Sequence, residues 1–197
     1  MLAENSHEGG GKSMGTYRQT VVDLDASAQE AVVWGERGRD WLEAEGFIRL
    51  VPWQDGVVRL AGPRWREAVD LVPWDWRARI KELEEEPGGE VRVVTGRIVF
   101  LAGPGDVPSA ICPRCQSATS AWPTEVVTTW YTTGAADLGC PACACRAPLP
   151  DWDWTHDYFA FAYLGFQFDD WLPLDPHFTA AFGKALGHRI RVLEGKW

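Results

Sequence analysis

Two pairs of cysteines constrain this chain more than anything else in its 197 residues. Cys112-Pro-Arg-Cys115 and Cys140-Pro-Ala-Cys143 each read C-x2-C, with residues 116 to 139 between them. Two-residue spacing lets both thiolates of a tight turn reach one ion, while turn amides hydrogen-bond the sulfurs. Two such turns make a tetrahedral four-sulfur set, which Zn2+ fills and which iron also accepts. A fifth cysteine, Cys145, follows the second pair closely. The spacing makes Cys145 the spare, a small hydrophobe beside the metal. A reactive thiol is the other reading of it, and pairing it with Cys140 or Cys143 instead strains the pattern.

The pattern of Cys112, Cys115, Cys140 and Cys143 resembles that of zinc-ribbon proteins, over residues 112 to 145 alone. The resemblance implies one Zn2+ held by these four thiolates. A catalytic zinc keeps a position open for water, and four thiolates leave none. The base-deaminase pattern needs a ligand His followed by a Glu, and no H-x-E precedes either pair. The expected zinc is therefore structural: it ties a long loop, and its binding energy becomes folding energy. A thioredoxin-like redox role is disfavoured, since CPRC lacks a strand-to-helix setting and a second pair is present.

Other chemistry is thinly represented. The histidines are His7, His156, His177 and His188, and no Ser, Cys or Asp motif accompanies them. The stretch D-W-D-W-T-H-D, Asp151 to Asp157, places three carboxylates beside His156 and could bind a divalent ion or move protons. An exposed edge with inward tryptophans gives the same pattern. Gly9 to Ser13 ends like a phosphate-binding loop, but Ser6 stands where its first glycine belongs and no strand precedes it. The reading is a non-enzymatic protein.

Charge suggests what such a protein meets. The formal net charge is −9, which repels nucleic-acid phosphates and favours a basic partner. No Lys or Arg lies between Ala147 and Gly183, while Asp151, Asp153, Asp157, Asp169, Asp170 and Asp175 do, interleaved with Trp152, Trp154 and Trp171. Carboxylates steer a basic partner and aromatic rings anchor it. The expected partner patch is Asp151, Trp152, Asp153, Trp154, Asp157, Asp169, Asp170 and Trp171. A small acidic protein of mixed structure without a catalytic motif also resembles, in general character, the immunity proteins of bacterial polymorphic toxin systems. That resemblance implies a stoichiometric inhibitor of a basic toxin. An adaptor or subunit of a larger assembly fits the same features. Nucleic-acid binding would rest on Arg64, Arg66, Arg77, Arg79 and Lys81, beside Trp65, Trp74 and Trp76.

The expected fold is α+β, a mixed or antiparallel sheet with flanking helices and an inserted zinc ribbon at about 110–148. Residues 1–15 read as a loose tail and 16–197 as one domain. A strand at 16–24 precedes a helix opened by a capping box, Ser27 to Glu30, that turns Ala31, Val32, Trp34, Trp41 and Leu42 inward. A hairpin turns at Gln54 to Gly56, a helix spans 75–86, and 90–103 is a long strand or hairpin. The segment from Ala121 to Thr133 reads as strand-rich. Tyr158 to Phe168 is a buried central strand. A helix with Asp175 as N-cap, Pro176 at its first position and Gly187 as C-cap leads to a closing strand. No apolar run reaches eighteen residues, and the start lacks a basic segment followed by an apolar one. The cytoplasm is the expected compartment.

Overall fold

The structure is a computed structural model that describes residues 16–54, 56–71, 89–104, 108–119 and 123–197. The expected helix at 75–86, the Arg77–Lys81 face and the glycine-rich start lie outside the described residues. The architecture is α+β, with antiparallel pairing throughout the described sheets. Among the described residues no helix is long and apolar enough to cross a membrane.

A four-stranded sheet organises the chain. Its strands are β1 (Tyr17–Asp23), β4 (Val91–Leu101), β10 (Phe159–Asp169) and β11 (Ile190–Lys196), in the order β11-β1-β10-β4. A two-stranded hairpin, β2 (Ile48–Trp53) and β3 (Gly56–Ala61), stands beside it where a hairpin was expected, with Gly56 already in the ladder opposite Trp53. Helices α1 (Ala31–Ala44) and α3 (Pro176–Leu186) cover one part of the main sheet. The rest meets the cysteine module, whose elements are β5 (Ala110–Ile111), β6 (Ala118–Thr119), α2 (Thr124–Thr133), β7 (Asp137–Gly139), β8 (Arg146–Pro148) and β9 (Asp153–Trp154).

β10 explains why one sheet serves two partners. Large and small residues alternate along it as F-A-F-A-Y and then L-G-F-Q-F, so the phase slips between Tyr163 and Leu164. The ladder with β4 slips there too: Ala162 pairs with Ile98, but Leu164 pairs with Thr95. The extra β4 residue falls at Gly96, whose φ of +112° is open to glycine and strained for other residues. Phe159 and Phe161 enter the core of the cysteine module, while Leu164, Phe166 and Phe168 enter the helix core. The small residues Ala160 and Ala162 join Val22, Phe100 and Leu193 in a third, minor cluster. There β11 and the end of β4 approach closely, and a Cβ at Gly195 would collide with the Ala102 carbonyl.

The helix core is strongly aromatic. Phe166 meets Phe182 edge-on at 4.8 Å, and Trp41 stacks on Phe182 at 5.4 Å. Gly38 lets α1 approach β10, because a Cβ there would enter the Phe166 ring. Helix α3 has the expected ends. The Asp175 carboxylate accepts from the His177 amide at 2.7 Å and from the Phe178 amide at 3.3 Å, and Gly187 closes it with φ +74°.

Two expectations about the helices are corrected. The capping box does not cap α1: Ser27 Oγ bonds the Glu30 carboxylate at 2.6 Å, the residue before the helix is Glu30, and no side chain caps it. Val32 points outward, 57% exposed, while Gly35 and Gly38 join the expected Ala31 and Leu42 on the buried face. The approach to β10 needs residues without side chains, so the glycines that weaken the helix locally also let it dock.

Candidate metal centre

Both C-x2-C pairs lie at the tips of small hairpins. Cys112 to Cys115 connects β5 to β6, and Cys140 to Cys143 connects β7 to β8. The two turns share one hydrogen-bond plan. In the first, the Cys112 amide donates to the Ser117 carbonyl at 3.1 Å, and the Gln116 amide returns to the Cys112 carbonyl at 3.0 Å. In the second, the Cys140 amide donates to the Cys145 carbonyl at 2.8 Å, and the Ala144 amide returns to Cys140 at 2.9 Å. The residue after each pair, Gln116 or Ala144, takes a left-handed φ of 60° or 56°. That twist brings the following amide round to the second sulfur of the pair.

The two hairpins put all five sulfurs together. Cys112, Cys140, Cys143 and Cys145 have Sγ atoms within 4.8 Å of one another and could hold a metal ion. Cys112 Sγ lies 3.8 Å from Cys143 and 3.3 Å from Cys145, and Cys115 Sγ lies 3.6 Å from Cys140. Four sulfurs about 2.3 Å from one ion stand about 3.8 Å apart, so the spacing suits a tetrahedral thiolate site. Cys112 and Cys140 are buried, Cys145 is half-buried, and Cys115 and Cys143 are exposed. The fifth cysteine, expected as a bystander, is thus a full member of the cluster. The distance of Cys145 from the C-x2-C pattern hid this, and only the match between Cys145 and Ser117, each two places after its pair, signals it in the sequence.

Backbone amides prepare these sulfurs for charge. Burial works against ionisation of Cys112, but amide donation from Cys115 and Arg114, with contacts to Cys145 and Cys115, outweighs it and brings the thiol down to about 6. The Ser117 hydroxyl and amide lower Cys115. Cys140 receives the Cys143 and Ala142 amides, and Cys143 receives that of Cys145. Burial with the Cys112 and Cys115 sulfurs nevertheless pushes Cys140 up to about 11, and the Cys145 sulfur, more than desolvation, does the same to Cys143. Cys145 also rises: its contact with Cys143 favours ionisation, but Cys112 and burial oppose it more. In a crowd of thiols without a cation, some ionise at the expense of the rest. A bound cation removes that conflict.

The segment between the hairpins is a helix where strand was expected. The β-branched run from Thr124 to Thr133 reads as strand, but its threonines bond back into helical turns. Thr129, Thr132 and Thr133 donate to the carbonyls of Glu125, Thr128 and Thr129, at 2.8, 2.9 and 2.8 Å. Pro123 precedes the helix, and Gly134 stops it with φ +85°. Trp130, 1% exposed, meets Phe161 edge-on at 5.3 Å and locks α2 to β10.

The structure separates the expected partner patch into pieces. Trp152, Trp154 and Trp171 are core residues, exposed by 0%, 2% and 3%. Trp152 and Trp154 belong to the module core, and Trp171 donates its indole N–H to the Gly89 carbonyl at 3.0 Å. Asp153 pairs with Arg191, Asp169 with Arg18 and Arg92, and Asp170 accepts the Tyr17 amide at 3.1 Å. Asp151 and Asp157 remain exposed. His156 and Asp157 have left-handed φ angles of 62° and 45° and line an open cleft with Gln19, Thr179 and Glu194. Among the described residues, the cysteines are the one group of His, Cys, Asp or Glu close enough to share a metal. Arg64, part of the basic set, is engaged by Glu45 at 3.0 Å and Glu67 at 2.7 Å.

Comparison with protein-family models, with curated proteins and with solved structures finds no match to this chain.

Proposed function

We propose that the cysteine module is a structural zinc centre and that the chain is a non-enzymatic protein that binds a basic protein partner. An immunity-type inhibitor of a basic toxin is the sharpest form of this reading, and an adaptor within an assembly is its neighbour. The observation that carries it is the composition of the cluster. Converging thiolates satisfy Zn2+ without leaving a place for water or substrate, so the ion's effect is on folding. The net charge of −9 supplies the long-range attraction for a basic partner.

With Trp152, Trp154 and Trp171 buried, the aromatic anchor moves to the β2–β3 hairpin. There Trp53 is 62% exposed on one face of the ribbon, while Leu50 and Val57, at 50% and 53%, share the other. A projecting ribbon with one exposed tryptophan offers the rigid apolar contact that interfaces concentrate. The test is affinity capture with the tagged protein from the cells that make it, at low and moderate salt, with zinc measured on the same sample. The reading expects one zinc per chain and one basic protein in near-equimolar, salt-sensitive yield that falls at least tenfold with Trp53→Ala. Recovery of nucleic acid, or a yield indifferent to Trp53, overturns the partner reading. A preparation without stoichiometric metal overturns the zinc reading.

A further inference from the structure

Five sulfurs converge where an ion takes four, and the two hairpins show how the surplus arises. Ser117 and Cys145 occupy matching places: each follows its C-x2-C pair by two residues and accepts the first cysteine's amide on its carbonyl. In the first hairpin that place holds a serine hydroxyl, which is not a zinc ligand. In the second it holds a thiol beside Cys143 and 3.3 Å from Cys112 across the cluster. One hairpin therefore carries a supporting group where the other carries a potential ligand.

We propose that Cys115 and Cys145 are interchangeable fourth ligands of one metal centre whose fixed ligands are Cys112, Cys140 and Cys143. Both four-sulfur sets have a claim. Cys145 belongs to the set of sulfurs mutually within 4.8 Å, while Cys115 lies 3.6 Å from Cys140 and keeps the two-residue spacing. In the exchange, the Cys115–metal bond breaks and the Cys145–metal bond forms. The proton leaving Cys145 is balanced by one taken up by the released Cys115 thiolate, so the charge of the centre is unchanged. The partners differ in exposure. Cys115 is exposed and Cys145 half-buried, so the exchange delivers a free thiol to the surface while the ion stays inside four sulfurs. Covalent modification of Cys115 then leaves the metal in place.

This inference rests on reading the cluster as a metal centre, and the experiment separates the two. Wild type, Cys115→Ser, Cys145→Ser and the double variant are titrated with Co2+ without oxygen, following the sulfur-to-cobalt charge-transfer and tetrahedral ligand-field bands. Wild type and both single variants are expected to bind one equivalent with the same four-sulfur spectrum. The double variant is expected to lose one thiolate's share of intensity and to bind at least tenfold more weakly. In parallel, the zinc-loaded wild type is treated with limiting iodoacetamide and weighed intact by native mass spectrometry. The expected product is alkylated at Cys115 and retains its zinc. If Cys115→Ser alone loses a sulfur, or if the Cys115-alkylated species has lost zinc, Cys145 cannot replace Cys115 and the inference fails. If Cys145→Ser alone loses a sulfur, Cys145 is a fixed ligand and the inference fails again. A wild type that binds no Co2+ sinks the metal reading itself.

Discussion

The two halves of β10 are held in different ways. Among the described residues, Leu164 to Phe168 lie in a core of twenty buried residues, braced by α1 and α3, and Phe159 to Phe161 in a core of ten, two of which are the cysteines Cys112 and Cys140. The first half is supported by long elements and ring contacts. The second is supported by two- and three-residue strands and the ten-residue α2, which no side chain caps. Elements that short bury too little to hold themselves together. Aromatic packing reaches both halves, through Trp130 on Phe161 and Trp154 on Phe159 in the second, but among the described residues only the second half also carries a thiol cluster that could hold a cation.

Removing the metal should make the largest difference between them. Chelation is expected to abolish amide-exchange protection over 110–119 and 137–149 while leaving 164–168 and 178–186 protected. Structural zinc contributes on the order of 10 kcal/mol at neutral pH. Loss of protection in both halves would show one cooperative unit instead of two. Proton counting sharpens the same point. Cys140 and Cys143, held at about 11, carry protons at neutral pH in the metal-free protein and must lose them on binding. Loading should therefore release at least two protons per ion, with another wherever Cys145, also raised, supplies the fourth sulfur, and affinity should fall as pH falls. Calorimetry in buffers of different ionisation enthalpy measures the number.

Phe166→Ala attacks the other half. The side chain is fully buried and fills the space between Gly38 and Phe182. The loss should be about 3–5 kcal/mol in urea unfolding, with metal stoichiometry unchanged. A variant that loses metal first would erase the distinction between the halves. The smallest effect belongs to Asp175→Ala, which removes the cap of α3 and should cost about 1 kcal/mol without altering the metal site.

Much of the helix-braced half is legible in the sequence, because its signals are local. Asp175, Pro176 and Gly187 mark α3, the turn after Trp53 marks the hairpin, and the apolar run marks β10. The cysteine half is legible in the convergence of its paired cysteines, less so in the place of Cys145 among them and in its frame. Propensity favours strand for E-V-V-T-T-W-Y-T-T, but burial of Trp130 against Phe161 and the stop at Gly134 select helix. The Asp–Trp alternation fits a surface or a core, and only the contact between β9 and β5 turns the tryptophans inward. The phase slip in F-A-F-A-Y-L-G-F-Q-F is written in the sequence. It becomes meaningful once β4 supplies the matching Gly96.

β1 has a kinetic consequence. It is hydrogen-bonded on one side to β10 and on the other to β11, and the Tyr17 hydroxyl reaches Glu194 across 177 positions of sequence. Neither neighbour exists while the middle of the chain is being synthesised. The two cysteine hairpins need only residues 110 to 148 and can bring their sulfurs together, ready for a cation, well before β11 is made. Assembly should run outward from the thiol cluster: metal capture is an early, short-range event, and insertion of β1 is the late step that sets the folding rate.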